Sequence, residues 1–474
     1  MVLWFLVLLL FSTLSTNASY EFGQQGTPHD AKAHLPFEIK NSNVVVDPEI
    51  QEVVSKSGIK AWLVERKDLD VVSFSVMIAD AGSKADPSNK QGLVRLFLAM
   101  TDEGAGPYTA EQFKRFLLEN NILFNADFNE DSVIFNIRFP KTSTDAAFKA
   151  LNLILTDLRL TTSDLSKVKA HLFTNYNQST QNEGIVSKEF MNEKLFGNHP
   201  YAQKISSYIA HLSHITSDDI RTYISERFTQ DKLVIGVCGN MSKELLQQKI
   251  EEAFASLPKT STAKLCSDIV LNDPGPLCEK SLPIPQSIIL FTHPGIKRND
   301  SRFYPIDLAI HILGSGDFGS RLMQSVREEK GLVYGIGIGL DISKHAQLII
   351  GSASTRHKTV PEVINLIRSE WKKFVEKGVT QTELDNAKMR LLGMFPLRFG
   401  NTTAIASILL AIQYHNLGID FLKKRTALIQ RVTLDEINKV IQEFFAQDHL
   451  NFFVVGQENP PTNDLDPQKN GITA

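Results

Sequence analysis

The chain has 474 residues, beyond the size at which one hydrophobic core keeps growing, so two domains of roughly 200 residues each are expected. Hydrophobic residues make up 42% and charged residues 22%, ordinary globular values that exclude disordered, collagen-like and coiled-coil architectures for the bulk of the chain. Lys and Arg total 50 against 53 Asp and Glu, a net charge of −3, which removes a general binder of nucleic-acid phosphates.

Val2 to Phe11 is an uninterrupted apolar run, followed by the small polar stretch Ser12 to Asn17 and then Ala18. Such a run is about half of what a bilayer-spanning helix needs, and Thr16-Asn17-Ala18 fits a small-x-small cleavage pattern. Residues 1–18 are therefore predicted to be a signal peptide cut after Ala18. The first Lys or Arg is Lys32, so only the amino terminus supplies positive charge, and an uncleaved anchor is the competing reading. No later segment approaches 18 apolar residues, so no membrane association is expected once the leader is removed. After a tail over 19–37, a first domain is expected over 38–257. Ile59 to Val64 and Val71 to Ile78 are strand-like, a helix is predicted from about Asn89 to Met100, and Asp131 to Phe139 alternates Val133, Phe135, Ile137 and Phe139 on one face. Another helix is predicted from Ser163 to Asn177.

Sliding the chain against itself by 217 positions reveals a repeat without a gap: Thr216 to Leu233 aligns with Thr433 to Leu450, and Gly239 with Gly456. In the first copy Ile220, Tyr223, Ile224 and Phe228 recur at helical spacing before an apolar run from Leu233 to Val237, so each copy reads helix, turn, strand. Two copies this far apart mean two similar domains rather than a solenoid. Between them residues 258–285 read as a linker, because Lys, Ser, Thr and Pro replace the periodic apolar residues. The linker holds Cys266 and Cys278, which with Cys238 are the only cysteines. They show no C-x-x-C spacing, and an oxidising compartment leaves either a Cys266–Cys278 bridge or free thiols open. In the second domain, over 286–457, a strand near Ser287 to Phe291 and helices near Phe303 to Leu313 and Pro361 to Phe374 precede a Thr380-x-x-Glu383 capping box. Residues 458–474 form a Pro-, Asn- and Asp-rich tail. The fold class is α+β: two homologous domains, each a mainly antiparallel sheet packed against helices.

Signatures of chemistry are sparse. Of the close histidine pairs, His211 with His214 has no third ligand nearby, and His29 with His34 lies in the amino-terminal tail. Neither H-E-x-x-H nor H-x-x-E-H occurs, nor does a G-x-S-x-G elbow. Gly314-Ser-Gly316-Asp-Phe-Gly319 satisfies G-x-G-x-x-G but follows a helical pattern rather than a buried strand, so it reads as a loop between helices, not a dinucleotide site. In Arg327-Glu-Glu-Lys-Gly331-Leu-Val-Tyr334, an Arg in a helix's last turn, a Gly stop and an emerging strand bring Arg327 and Tyr334 to one junction. A guanidinium fork can hold peptide carbonyls and a phenol can donate to an oxyanion. The plainer alternative is an Arg paired with a nearby Glu beside a half-buried Tyr.

Gly58-Ile-Lys-Ala-Trp-Leu-Val-Glu65, Ala81-Gly-Ser-Lys-Ala-Asp-Pro87 with Gly92-Leu93, Leu195-Phe-Gly-Asn-His-Pro-Tyr201, Pro294-Gly-Ile-Lys297, Ser320-Arg-Leu322, Arg327 to Tyr334 and Phe395-Pro-Leu-Arg-Phe399 occur in that order. This order resembles the pitrilysin and insulysin-like metallopeptidases, the inverzincins, and most of all the short bacterial type in which two half-length chains assemble one clamshell. In that family the helix after Gly-Leu carries H-x-x-E-H, two zinc ligands one turn apart with the general base between them. Here those positions hold Arg95, Leu98 and Ala99, and the third ligand, a Glu, is expected near Asn175, where no acidic residue lies between Asp164 and Glu183. The resemblance therefore implies no zinc bound by this chain and no catalytic residue. It also implies that Arg327 and Tyr334 are substrate-binding, contacting a peptide cleaved by a zinc-bearing homologous subunit in a bacterial periplasm. The alternative is a stand-alone pseudopeptidase that binds peptides or acts as a scaffold; an autonomous hydrolase lacks a nucleophile and base.

Overall fold

The computed structural model describes residues 48–264, 266–315, 319–445 and 450–456. The leader and tail expected over 1–37, Gly316 of the Gly-rich loop and the tail over 458–474 lie outside the described residues.

The first half builds a six-stranded sheet from β1 (Gln51–Val54), β2 (Lys60–Glu65), β3 (Val71–Ala79), β4 (Leu123–Phe128), β5 (Ser132–Pro140) and β6 (Leu233–Gly239), in the order β1-β2-β6-β3-β5-β4. Every pairing is antiparallel except β2 with β6. Helices α1 (Leu93–Met100) and α2 (Ala110–Glu119) fall between β3 and β4. Five more join β5 to β6: α3 (Thr144–Thr156), α4 (Thr162–Ser179), α5 (Glu183–Phe196), α6 (Ile205–Leu212) and α7 (Ser217–Arg227); α8 (Lys243–Phe254) follows β6. In the second half β7 (Leu277–Lys280), β8 (Ser287–Pro294), β9 (Val333–Ile342), β10 (Gln347–Thr355) and β11 (Asn451–Val455) form a sheet in the order β7-β11-β8-β10-β9, again with one parallel pair, β7 with β11. Its helices are α9 (Phe303–Leu313), α10 (Val360–Lys377), α11 (Gln381–Met394), α12 (Thr402–Tyr414), α13 (Phe421–Gln430) and α14 (Leu434–Phe444). Without β1, the first sheet matches the second strand for strand.

The 217-residue repeat is the closing unit of each half. The hydroxyls of Thr216 and Thr433 accept the N–H groups of Asp219 and Glu436, both at 3.2 Å, satisfying donors that a helix start leaves unpaired. Ile220 and Ile437, and Phe228 and Phe445, are buried at matching positions before the chain enters β6 or β11. The predicted helix at Asn89 starts later, at Leu93, because Pro87 to Lys90 turns first and Gly92 takes a left-handed φ of 94°.

The alternating face of β5 is buried as expected, yet Ile134 on the other face is buried too, against Met77 and Leu410. The cause is an exchange of helices. α12, from the second half, lies across β3 and β6 of the first sheet, and α5, from the first half, lies across β8 and β11 of the second. Shifting α5 by 217 residues brings it onto α12. Gly236 lets α12 approach: a Cβ there would meet the Ala406 carbonyl oxygen at 2.3 Å.

One detail departs from the sequence reading, and of the two thiol states it left open one is found. Residues 277–280, inside the expected linker, form β7, because backbone pairing to the open edge of β11 organises a segment whose side chains carry no strand pattern. The Cys266–Cys278 bridge is not formed. Cys266 Sγ lies 3.0 Å from His199 Nε2, while Cys278 Sγ donates to the Pro274 carbonyl at 3.3 Å. Among the described residues no single helix is long and apolar enough to cross a membrane.

Candidate functional site

The start of α1 is held by Asp86, whose carboxylate accepts the N–H of Gly92 at 2.7 Å and of Val94 at 2.9 Å. Burial pushes its carboxyl up to about 7, against the pull of those two donors. Within the first turn of the helix, Arg95 turns its guanidinium into an aromatic enclosure. Its Cζ lies 4.9 Å from the ring centre of Phe128 on β4 and 5.8 Å from those of Tyr176 on α4 and Tyr208 on α6. The two tyrosine hydroxyls are held above their ordinary range, chiefly by burial and against the attraction of Arg95. A cation over several ring faces is attracted by their quadrupoles, by about 0.5–2 kcal/mol depending on desolvation.

At the positions that hold metal ligands and the base in H-x-x-E-H proteins, this helix presents Arg95, Leu98 and Ala99, and α4 presents Asn175 beside Tyr176. Zinc is bound by imidazole, thiolate or carboxylate donors; an Arg, a Leu, an Ala and an Asn do not fit it. Among the described residues no group of three or more His, Cys, Asp or Glu side chains is arranged to hold a metal ion.

Arg327 and Tyr334 flank a turn in the second half. The π-helical segment Met323–Glu328 ends with the Arg327 carbonyl accepting from Gly331 N at 2.8 Å, Gly331 takes φ +62°, and β9 begins at Val333. Arg327 pairs with Glu328 at 2.9 Å, the plainer arrangement expected for it. Tyr334 is not half-buried but 69% exposed. It lies on the edge strand of its sheet, where pairing slips from Val333–Thr355 to Ile336–Ala353, leaving an extra residue on β9. Such a bulge re-aims the side chains beside it.

A charged cluster between the halves was not legible in sequence. Lys84 Nζ, buried, contacts Asp80 Oδ1 at 3.1 Å, Asp131 Oδ1 at 2.7 Å and His345 Nε2 at 3.0 Å. Lys344, from the β9–β10 turn, pairs with Asp80 at 2.7 Å and donates its backbone N–H to Asp131 at 2.8 Å, and the Tyr201 hydroxyl donates to Asp131 at 2.5 Å. Lys232 also pairs with Asp80, at 3.1 Å, so three lysines meet two carboxylates, and the cluster fixes the second half's turn onto the first.

Comparison with known proteins agrees with this geometry. The family model described as Insulinase (Peptidase family M16) matches residues 62–207, and that described as Peptidase M16 inactive domain matches residues 214–391. A non-peptidase homolog, YmxG, from Helicobacter pylori is 28% identical over 399 residues, covering 83% of this chain and 91% of its own length. An uncharacterized zinc protease YmxG from Bacillus subtilis is 21% identical, covering 87% of this chain and all of its own. Among solved structures, a peptidase M16 inactive domain from Pseudomonas fluorescens superimposes with a TM-score of 0.80 at 22% identity, over 87% of this chain and 99% of that one. The periplasmic protease PqqL from Escherichia coli superimposes with a TM-score of 0.74 at 12% identity, over 94% of this chain and 49% of PqqL, so this chain has the architecture of one half of a clamshell. The family's metal-ligand positions hold no zinc donors here, and the Helicobacter pylori relative is itself named a non-peptidase homolog. The chain belongs to the insulinase family, peptidase family M16.

Proposed function

We propose that this chain is the substrate-binding, non-catalytic subunit of a heterodimeric, exported zinc endopeptidase. It pairs with a homologous chain that retains the zinc ligands, and closes a peptide chamber with it. The observation that carries this reading is a contrast within one chain: Arg95 fills the family's metal position among three rings, while Tyr334 stands exposed on an edge strand. An edge strand offers backbone donors and acceptors to which an extended peptide adds. Arg327 exchanges Glu328 for the peptide backbone, and the Tyr334 hydroxyl donates to the oxyanion formed when the partner's site attacks the scissile carbonyl. Export to the periplasm rests on the predicted signal peptide and accords with the compartment of PqqL.

Reconstitution tests it. The zinc-bearing homologue co-purified with this chain should cleave peptides, and Tyr334→Phe in this chain should lower kcat about 10²-fold, the usual effect of removing one oxyanion donor. A homologue fully active on its own refutes the subunit reading and leaves a stand-alone pseudopeptidase.

A further inference from the structure

We propose that the second half carries a binding pocket for a carboxylate joined to an apolar group, built on Arg298 and Arg425. The pocket is the counterpart of the Arg95 enclosure. That enclosure is framed by α1, β4, α4 and α6, and the matching elements α9, β9, α11 and α13 frame a cavity of about 130 Å³. Tyr208, which closes the first site, maps by the 217-residue shift onto Arg425. The plugged site and the open one are thus framed by matching elements in two copies of one fold, although Ile312, which the shift places at Arg95, does not line the cavity.

Arg425 is 8% exposed, and its Nη1 has no hydrogen-bond partner; Nη2 reaches the Leu391 carbonyl only at 3.5 Å. Arg298 is 9% exposed, with Nη2 3.5 Å from the Tyr304 hydroxyl oxygen. Among the described residues neither has a carboxylate within ion-pair distance. Burial lowers the Arg425 guanidinium to about 10, so it stays charged at neutral pH. Arg398 and Asp307 line the same cavity, so three guanidinium groups face one carboxylate that makes no ion pair with Arg298 or Arg425, an excess of positive charge that an anion relieves.

The packing leaves the binding edges free. Arg425 stacks 3.9 Å from the ring centre of Phe395, and Arg298 3.8 Å from that of Phe303. Stacking occupies the face of a guanidinium and leaves its in-plane N–H groups, which match the two oxygens of a carboxylate. The Tyr304 oxygen accepts from Arg298, so its own proton is available to the same anion. Asp307 offsets part of that positive charge, and the preference for a carboxylate over phosphate comes from the apolar wall beside the guanidinium groups. Phe421, 5.2 Å from the Arg298 guanidinium, and Ile412 supply an apolar wall for the rest of the ligand.

Titration calorimetry of the full chain with benzoate, hexanoate, benzamide and inorganic phosphate tests this. Benzoate or hexanoate should bind at least tenfold more tightly than benzamide or phosphate. Arg425→Met should abolish that binding and raise the thermal midpoint of the unliganded protein, because an unpaired buried charge is gone; Arg298→Gln should weaken binding at least tenfold. The absence of carboxylate binding to the wild-type chain, equal binding of phosphate, or unchanged binding by both variants overturns the proposal.

Discussion

Replacing Lys84 by methionine removes one charge from the cluster between the halves while keeping most of the side-chain volume. The Lys84 side chain is 2% exposed, so solvent cannot compensate. Its partners are not left bare: Asp80 keeps Lys232 at 3.1 Å and Lys344 at 2.7 Å, and Asp131 keeps the Tyr201 hydroxyl and the Lys344 N–H. The loss should therefore lie at the low end of the range for breaking a buried pair, about 3 kcal/mol. Lys90→Met, which removes the more exposed pair with Asp219, should cost under about 1 kcal/mol. The sign of the pH dependence follows from Asp80. Burial works to raise its carboxyl, but Lys344 and Lys84 outweigh that and hold it well below the ordinary range. Folding thus favours the ionised form, and its contribution is present above the unfolded value of about 4 and lost as the pH falls through the folded one. In Lys84→Met the folded value of Asp80 moves up toward the unfolded one, so that acid-side loss should be smaller and complete at a higher pH. Urea unfolding at pH 7 and across the acid range measures both effects. A loss no larger than that of Lys90→Met would refute the view that this cluster locks the halves together.

Gly236→Val should destabilise the protein by about 2–3 kcal/mol or more, because the new side chain drives into the α12 backbone at Ala406; a shifted urea midpoint reads it, and a neutral result contradicts the close approach. Asp86 has the opposite pH sign to Asp80. Burial raises its carboxyl to about 7, so the protonated form favours folding, and the Asp86 contribution is fully present below the unfolded value of about 4 and lost as the pH rises through 7. Asp86→Asn should flatten that slope in urea midpoints measured between pH 4 and 8.

What could be read from the sequence was whatever is local or periodic. The repeat at 217 residues stands out because capping threonine, helix stripe and strand follow one another directly in each copy, from Thr216 to Gly239 in the first, and Arg327 and Tyr334 share one turn. The loss of zinc ligands was legible because the motif is a spacing on a single helix. Its replacement was not: Phe128, Tyr176 and Tyr208 come from three elements, and nothing in their neighbours marks them as meeting Arg95. The charge cluster joins Asp80 to Lys344 across 264 residues, a pairing no window reveals. α12 resisted reading for a different reason. It is apolar almost all round, so it shows no stripe, and only the exchange of helices explains why both of its faces are covered. Arg425 reads as one more polar residue on a helix, and its burial is a property of the cavity it lines.

The exchange of α5 and α12 also bears on whether the halves are separable. Val186, Phe190, Met191 and Leu195 of α5 pack against Leu290, Leu348, Phe453 and Val455 of the second half, while Trp62, Val64 and Cys238 of the first sheet join the second core. A fragment of residues 48–257 would expose the stripe of α5 and the sheet face that α12 covers; residues 286–456 would expose the reverse. At about 1.5–3 kcal/mol for each fully buried large apolar side chain, the four residues of α5 alone represent about 6–12 kcal/mol. That is comparable with the whole stability of an ordinary domain, about 5–15 kcal/mol. Neither fragment should fold alone, and the two mixed should regain near-UV circular dichroism and a cooperative thermal transition. A fragment that unfolds cooperatively by itself would show that the exchanged helices decorate two independent domains rather than complete them.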